Sequence, residues 1–348
     1  MYRSLRFEEV KDMPKNRLFN RIFACVLTGA LVIGALSGCG SKASSGASSG
    51  SGSGGGKILF IMTDVEDTFR KTLSDAVVSA GKSKGVTLDM VETGSDIQQQ
   101  VDLVASAKSK GYTAIILRAA DASTAPQMNV SAGDLPIIYV NSEPSIDHLT
   151  QDKYIYVGSD EYEPGKYQAE FVLKKLGNPK SLNVIIFGGE KGHPATVLRT
   201  KSVKDTLKKN GCKANYVFLD TANWSDTEAL EKFRIFMKTG QSVDVIFCNN
   251  DTMALGTLEG LKEYGLDYTK ILVCGVDATA DACASIAAGE MAFTAFQNAK
   301  GQAEAAVEAA MVLGNGGSIS TVEGSTSDGK YVYVPFEAVD ASNVSKYR

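Results

Sequence analysis

The sequence predicts an α/β protein built on two parallel sheets, and three observations carry that expectation. Short apolar runs rich in Val and Ile recur from Lys57 to Val276. These runs are near-continuous rather than alternating, as in strands covered on both faces, and stretches with helical spacing lie between several of them. The chain has 348 residues, 44% hydrophobic and 22% charged, which is enough for two domains of ordinary composition. That composition excludes a disordered chain, a collagen-like repeat and a disulfide-dense miniprotein. A net charge of −4 provides no basic footprint for nucleic acid. Two histidines, His148 and His193, leave little material for a His-rich metal site.

The chain opens with an address. Residues 15–21 are basic, and Ile22–Gly38 is apolar or small, the pattern of a secretory signal. The apolar run falls short of the ~20 residues that span a membrane comfortably. It ends in Leu36-Ser37-Gly38-Cys39, which resembles the lipobox of bacterial lipoproteins; the resemblance makes Cys39 the lipidated new N-terminus and residues 1–38 the leader. An uncleaved anchor helix is the alternative, and Met13 is an alternative start. Gly40–Gly56 holds seven Gly and seven Ser. Such a stretch buries no apolar area and acts as a flexible tether with a reach of about 20–25 Å. Its Gly46-Ala47-Ser48-Ser49-Gly50 matches G-x-S-x-G in letters only, because the strand and helix that motif needs are missing from the pattern.

From Lys57 the strand-like runs are Ile58–Met62, Val86–Val91, Ala114–Leu117, Ile137–Val140, Tyr154–Val157, Val184–Phe187, Tyr216–Leu219, Val243–Cys248 and Ile271–Val276. Phe69–Lys84 carries apolar residues at 69, 73, 76, 77 and 80, a helical stripe. Ala195–Lys209, Thr227–Thr239, Thr252–Tyr264 and Gly301–Leu313 read the same way. Cys248 and Cys274 end apolar runs and read as buried thiols; with Cys212 and Cys283 they leave a disulfide open, since spacing assigns no pair.

Ligands of open α/β sheets bind outside the carboxyl ends of the strands. Polar and aromatic residues gather at that edge in both halves. Asp64, Asp67 and Phe69 follow the first run, and Asn141 follows Ile137–Val140. His193 and Arg199 follow Val184–Phe187, and Trp224 follows Tyr216–Leu219. Asn249, Asn250 and Asp251 follow Val243–Cys248, and Asp277 follows Ile271–Val276. Each has an ordinary structural explanation: Asp67 and Asp251 as helix caps, Asn141 and Asp277 as turn residues, His193 in a loop, Trp224 as a core anchor. Their joint placement is what points to a site.

The inventory suits a sugar. Asp, Asn, Gln and Arg have planar heads that engage neighbouring hydroxyls, and each buried hydroxyl left unpaired costs roughly 1–3 kcal/mol. Phe69 and Trp224 provide flat apolar faces for the C–H faces of a sugar ring. A phosphate would want a Gly-rich turn with basic residues. Residues 188–194 (GGEKGHP) have the glycines, but G-x-x-x-x-G-K-[ST] is not present.

Taken together, VNSEPS (140–145), YVGSDEYEPG (156–165), GGEKGHP (188–194), LDTANW (219–224), NNDTMALG (249–256), GVDATADA (275–282) and YVPFEAVD (333–340) resemble the galactose/glucose-binding proteins. These are the substrate-binding components of sugar ABC importers, in the type I periplasmic-binding family, and the similarity runs from Lys57 to the end. It implies two doubly wound α/β lobes joined by three crossings near Gly158–Asp160, Gln297–Ala299 and Tyr333–Pro335. It implies a first lobe of 57–158 plus 298–332 and a second of 159–297 plus 333–348, behind a tether of 39–56. By motif position, the sugar contacts carry over to Asp67, Phe69, Asn141, His193, Arg199, Trp224, Asn250 and Asp277, with Gln297 where the family has Asn. Phe69 and Trp224 would sandwich the ring.

Two further departures matter. The family Asp two residues after the GHP histidine is here Ala195, which opens a route to ligands substituted at C1. The family's calcium loop corresponds to Leu176–Leu182, which is short and lacks carboxylates, so no metal and no cofactor are expected. The resulting expectation is a monomeric lipoprotein, membrane-anchored through Cys39 on the extracytoplasmic face. It would capture D-galactose or D-glucose by hinge closure and hand it to an ABC permease. Another hexose, a pentose or a C1-substituted galactoside remains open, as does a role in a sugar-sensing receptor. A repressor of the same fold would begin with a helix-turn-helix, and a glycosidase would need a pair of placed carboxyls that the sequence does not support.

Overall fold

The computed structural model describes residues 56–348, which lie within one compact unit, Ser53–Arg348. The leader, Cys39 and nearly all of the Gly/Ser stretch fall outside the described residues.

The first lobe holds a six-stranded parallel sheet. Its strands are β1 (Lys57–Met62), β2 (Thr87–Glu92), β3 (Tyr112–Leu117), β4 (Ile137–Val140) and β5 (Tyr154–Gly158), closed by a late strand, β11 (Tyr331–Tyr333). They lie in the order β11-β5-β4-β3-β1-β2. Alternation along β1 shows why the run is apolar throughout. Ile58, Phe60 and Met62 enter one core with α1 (Thr68–Ser83) and α9 (Ala299–Gly314). Leu59 and Ile61 enter the other, with α2 (Ile97–Ala107) and α3 (Ala125–Ala132). On α1 the stripe Phe69, Leu73, Val77 and Ala80 is buried, and full burial of a Leu or Val side chain contributes on the order of 1.5–3 kcal/mol.

The second lobe repeats the plan. Strands β6 (Ser181–Gly188), β7 (Lys213–Thr221), β8 (Val245–Cys248) and β9 (Leu272–Cys274) form a parallel sheet in the order β7-β6-β8-β9. One face is covered by α4 (Glu163–Lys175) and α5 (Pro194–Lys209). The other is covered by α6 (Asp226–Met237), α7 (Asp251–Glu263) and α8 (Ala280–Ala287). A separate antiparallel pair, β10 (Thr294–Phe296) with β12 (Glu337–Val339), was not expected from the apolar pattern. Cys212, Cys248, Cys274 and Cys283 are free and buried.

The chain passes between the lobes three times, at residues 159–162, 297–298 and 334–336. Tyr333 pairs with Gly158 in the six-stranded sheet. β11 runs in register with β5 to its last residue, so Tyr333 belongs to the first-lobe sheet.

Candidate functional site

In each sheet the strand order reverses beside the first strand of its lobe, between β1 and β3 and between β6 and β8. That reversal opens a crevice at the carboxyl ends, where loops on either side diverge. The two crevices face each other across a small cavity of about 30 Å³, lined from both lobes. Asp67, Phe69, Asn141, His193, Arg199, Trp224, Asn250, Asp277 and Gln297, every site residue expected from the sequence, line this one cavity. Ala195 lines it too, as do Arg70 and Arg118.

Helix caps place several of these side chains. Asp67 caps α1, its Oδ1 accepting from Arg70 N at 2.9 Å. His193 caps α5, its Nδ1 accepting from Ala195 N at 3.2 Å. That bond assigns the remaining proton to Nε2, which becomes a donor. Burial, reinforced by Arg118, Arg199 and Arg70, holds the imidazole pKa well below its usual value, so His193 is neutral. At α7 the cap is Asn250 and not Asp251: Asn250 Oδ1 accepts from Met253 N at 3.0 Å. Asp251 lies one residue further in, fully buried, with Oδ1 accepting from Thr294 Oγ1 at 2.6 Å and Oδ2 from Thr279 N at 2.8 Å.

Backbone strain places three more. Asn141 (φ 60°), Trp224 (φ 66°) and Asp277 (φ 118°) hold positive φ, which is uncommon for residues other than Gly and concentrates at functional sites. Asp277 is pinned by two backbone bonds to the β10 edge, from its N to Ala295 O at 2.7 Å and from Gln297 N to its O at 3.2 Å. Burial pushes its carboxyl well above the usual range, while Arg199 pulls the other way. Trp224 lies against the loop after β6, where a Cβ on Gly189 would collide with the indole. The His193 ring meets the indole edge-on at 5.4 Å. Trp224 is therefore both packed on the second core and a wall of the cavity.

Arg199 is buried and heavily committed. Its Nε and Nη2 each reach Glu161 Oε2 at 2.7 Å, its Nη1 donates to Asn249 O at 2.6 Å, and its Nη2 donates to Gln297 Oε1 at 3.0 Å. Burial raises the Glu161 carboxyl pKa and the Arg199 charge opposes it. Asn141 Oδ1 accepts from Arg118 Nε at 3.2 Å, leaving its amide group turned to the cavity it lines. The Arg118 loop is held from below by the fully buried Gln100, which donates to Arg118 O and accepts from Ala120 N.

Three bonds cross the cleft. Asn250 Nδ2 donates to Asp67 Oδ2 at 3.3 Å, and Glu190 pairs with Arg70 at 3.4 Å and with Arg118 at 3.5 Å. The cleft is closed. Arg70, Arg118, Glu161 and Glu190 are the residues that the sequence reading missed. Arg118 carried a usable signal, since it directly follows β3 at the same edge as Asp67 and Asn141.

A family model described as a periplasmic binding protein domain matches residues 58–318. The chain belongs to this family. The binding protein is 30% identical to a protein of Rhizobium meliloti named for rhizopine binding, over 82% of this chain and 91% of that one. It is 28% identical to the D-galactose/methyl-galactoside binding periplasmic protein MglB of Haemophilus influenzae, over 80% and 86%. An ABC transporter solute binding protein from Bacillus halodurans, solved with bound myo-inositol, superposes with a TM-score of 0.73 at 27% identity, covering 85% of this chain and 98% of that one. The fold is that of the type I periplasmic binding proteins, two α/β lobes with parallel sheets. The chain is a solute-binding protein of the extracytoplasmic kind and not an enzyme. No helix among the described residues is long and apolar enough to cross a membrane.

Proposed function

We propose that this binding protein is the sugar-binding component of an ABC transporter and captures a compact cyclic polyol, D-galactose or D-glucose, in the closed cleft. The observation that carries the reading is the composition of the cavity between the lobes. Two aromatic faces, Phe69 and Trp224, share it with acceptors (Asp67, Asp277) and donors (the Asn141 amide, His193 Nε2, Arg118). Hydroxyls around a ring need both kinds at close spacing, and a ring's C–H faces need flat apolar walls. Hinge closure about the three crossings would exclude water from those bonds, the motion periplasmic binding proteins use. In this role the protein acts as a monomer, is lipid-anchored at Cys39, and passes its sugar to a permease.

A cyclitol is the second reading, favoured by a specific residue. Ala195 offers no carboxylate to an anomeric hydroxyl, and an inositol ring has none. The relative solved with bound myo-inositol supports the same direction.

Calorimetry of the purified protein against D-galactose, D-glucose, D-allose, D-ribose, methyl β-galactoside and myo-inositol tests both. Saturable binding of galactose or glucose with the highest affinity supports the first reading, and preference for myo-inositol supports the second. The absence of heat with every member overturns the sugar assignment.

A further inference from the structure

Arg199 touches all three crossings. Glu161 belongs to the first, Gln297 to the second and Phe336 to the third, where the Phe336 ring lies 5.7 Å from the guanidinium carbon. On its other side the guanidinium stands 6.0 Å from the Trp224 ring, the wall of the cavity. Its backbone is equally confined, because α4 approaches α5 at Gly165, where a Cβ would run into Arg199 O.

A cation this deeply buried is costly unless it is paired and fully hydrogen-bonded. Glu161, 1% exposed, provides the countercharge. One of its oxygens takes two Arg199 nitrogens, and its other oxygen accepts from Gln297 Nε2 at 3.3 Å. Glu161, Arg199 and Gln297 thus form a closed ring of side chains that ties two crossings to the cavity wall. Glu161 is not among the residues lining the cavity.

We propose that Glu161 is a positioning residue of the ligand site: it neutralises Arg199 and holds it at the junction of the crossings, so that the closed cleft presents a fixed guanidinium to the ligand. This rests on the cleft being the sugar site, as proposed above. Without the Glu161 charge, Arg199 is left as an unpaired buried cation and swings toward Asp277 or solvent, and the Trp224 wall loses its neighbour.

The test has a ligand-free arm and a ligand-bound arm. Trp224 is the only tryptophan in the chain, so its emission reports this place alone. Glu161→Gln should shift the emission of the ligand-free protein and weaken affinity for whichever of D-galactose or myo-inositol the wild type prefers by tenfold or more. Glu161→Asp, which keeps the charge, should stay within threefold of wild type. In an Arg199→Met background, Glu161→Gln should change affinity less than twofold, since its effect runs through the guanidinium. Unchanged emission and affinity in Glu161→Gln would overturn the proposal, as would an equal loss in the Arg199→Met background or a Glu161→Asp loss as large as that of Glu161→Gln. Should Glu161→Gln fail to fold, the affinity of Glu161→Asp decides alone, on the same threefold criterion. If the wild type binds no member of the ligand panel, the sugar reading fails, while the ligand-free emission still decides the role of Glu161.

Discussion

Asp67 and Asn250 each cap a helix in a different lobe, and their side chains meet across the cleft, Asn250 Nδ2 to Asp67 Oδ2 at 3.3 Å. One end of each side chain anchors its own helix while the other end closes the cavity. Capping and closure are thereby joined in the same two residues, and a cap taken alone would explain only half of each.

The two roles of Asn250 separate by substitution. Asn250→Ser keeps a capping oxygen for Met253 N but is too short for Asp67. Its ligand-free stability should stay within about 0.5 kcal/mol of wild type while affinity falls, since Ser and Asn are comparable caps. Asn250→Ala should lose both, with roughly 0.5–2 kcal/mol of stability gone. Denaturant unfolding with calorimetry checks this; equal stability losses in the two variants would show that the cap is not what Ser preserves.

Ala195 is buried on the first turn of α5 and lines the cavity beside His193. Ala195→Asp should tighten galactose and glucose by about tenfold and weaken methyl β-galactoside, which lacks an anomeric hydroxyl to donate. Titration of the variant with the three sugars reads the difference. No change for any of them would mean that residue 195 does not face the anomeric carbon.

Glu143 sits after β4, near the first and third crossings. Burial, with Glu161 and Asp160 nearby, pushes its carboxyl up to about 7, and the Tyr331 hydroxyl pulls the other way. The folded state thus holds this proton more tightly than the unfolded chain does. The resulting stabilisation is present below pH 4.5 and is lost as pH rises to about 7. Glu143→Gln should therefore unfold later than wild type at pH 8, by roughly 1–3 kcal/mol, and match it at pH 4. Thermal unfolding of the ligand-free proteins at the two pH values measures it. A gain at pH 4 that vanishes at pH 8 would reverse the assigned shift.

Much of the frame was legible because buried parallel strands cannot hide. Ile58–Met62 and Ile137–Val140 are apolar on both faces, and α1 shows its stripe plainly. Other helices were harder to see. On α4 the buried face includes Gly165 and Gln168, and α8 is only eight residues long, little more than two turns. The three-residue β10 is defined by its antiparallel partner β12, some forty residues on in the chain. The cavity residues were legible from strand ends and from motif resemblance together. Arg70, Arg118, Glu161 and Glu190 were not, because charged side chains read as surface until their partners are known. Arg70 and Arg118 find Glu190 120 and 72 residues away, in the other lobe. Asp251 illustrates the same limit at short range: it and Asn250 are both good caps by type, and only the backbone chose between them.

Ligand binding by Asn141→Ala and Asp277→Ala decides whether the sugar occupies this cleft. Both side chains line the cavity from strained backbone positions in opposite lobes. Isothermal calorimetry with the preferred sugar, beside ligand-free melting curves, is the measurement. Each variant should lose tenfold to hundredfold in affinity, about 1–3 kcal/mol, with a ligand-free melting temperature close to wild type. Wild-type affinity in both variants would place the sugar somewhere other than this cleft.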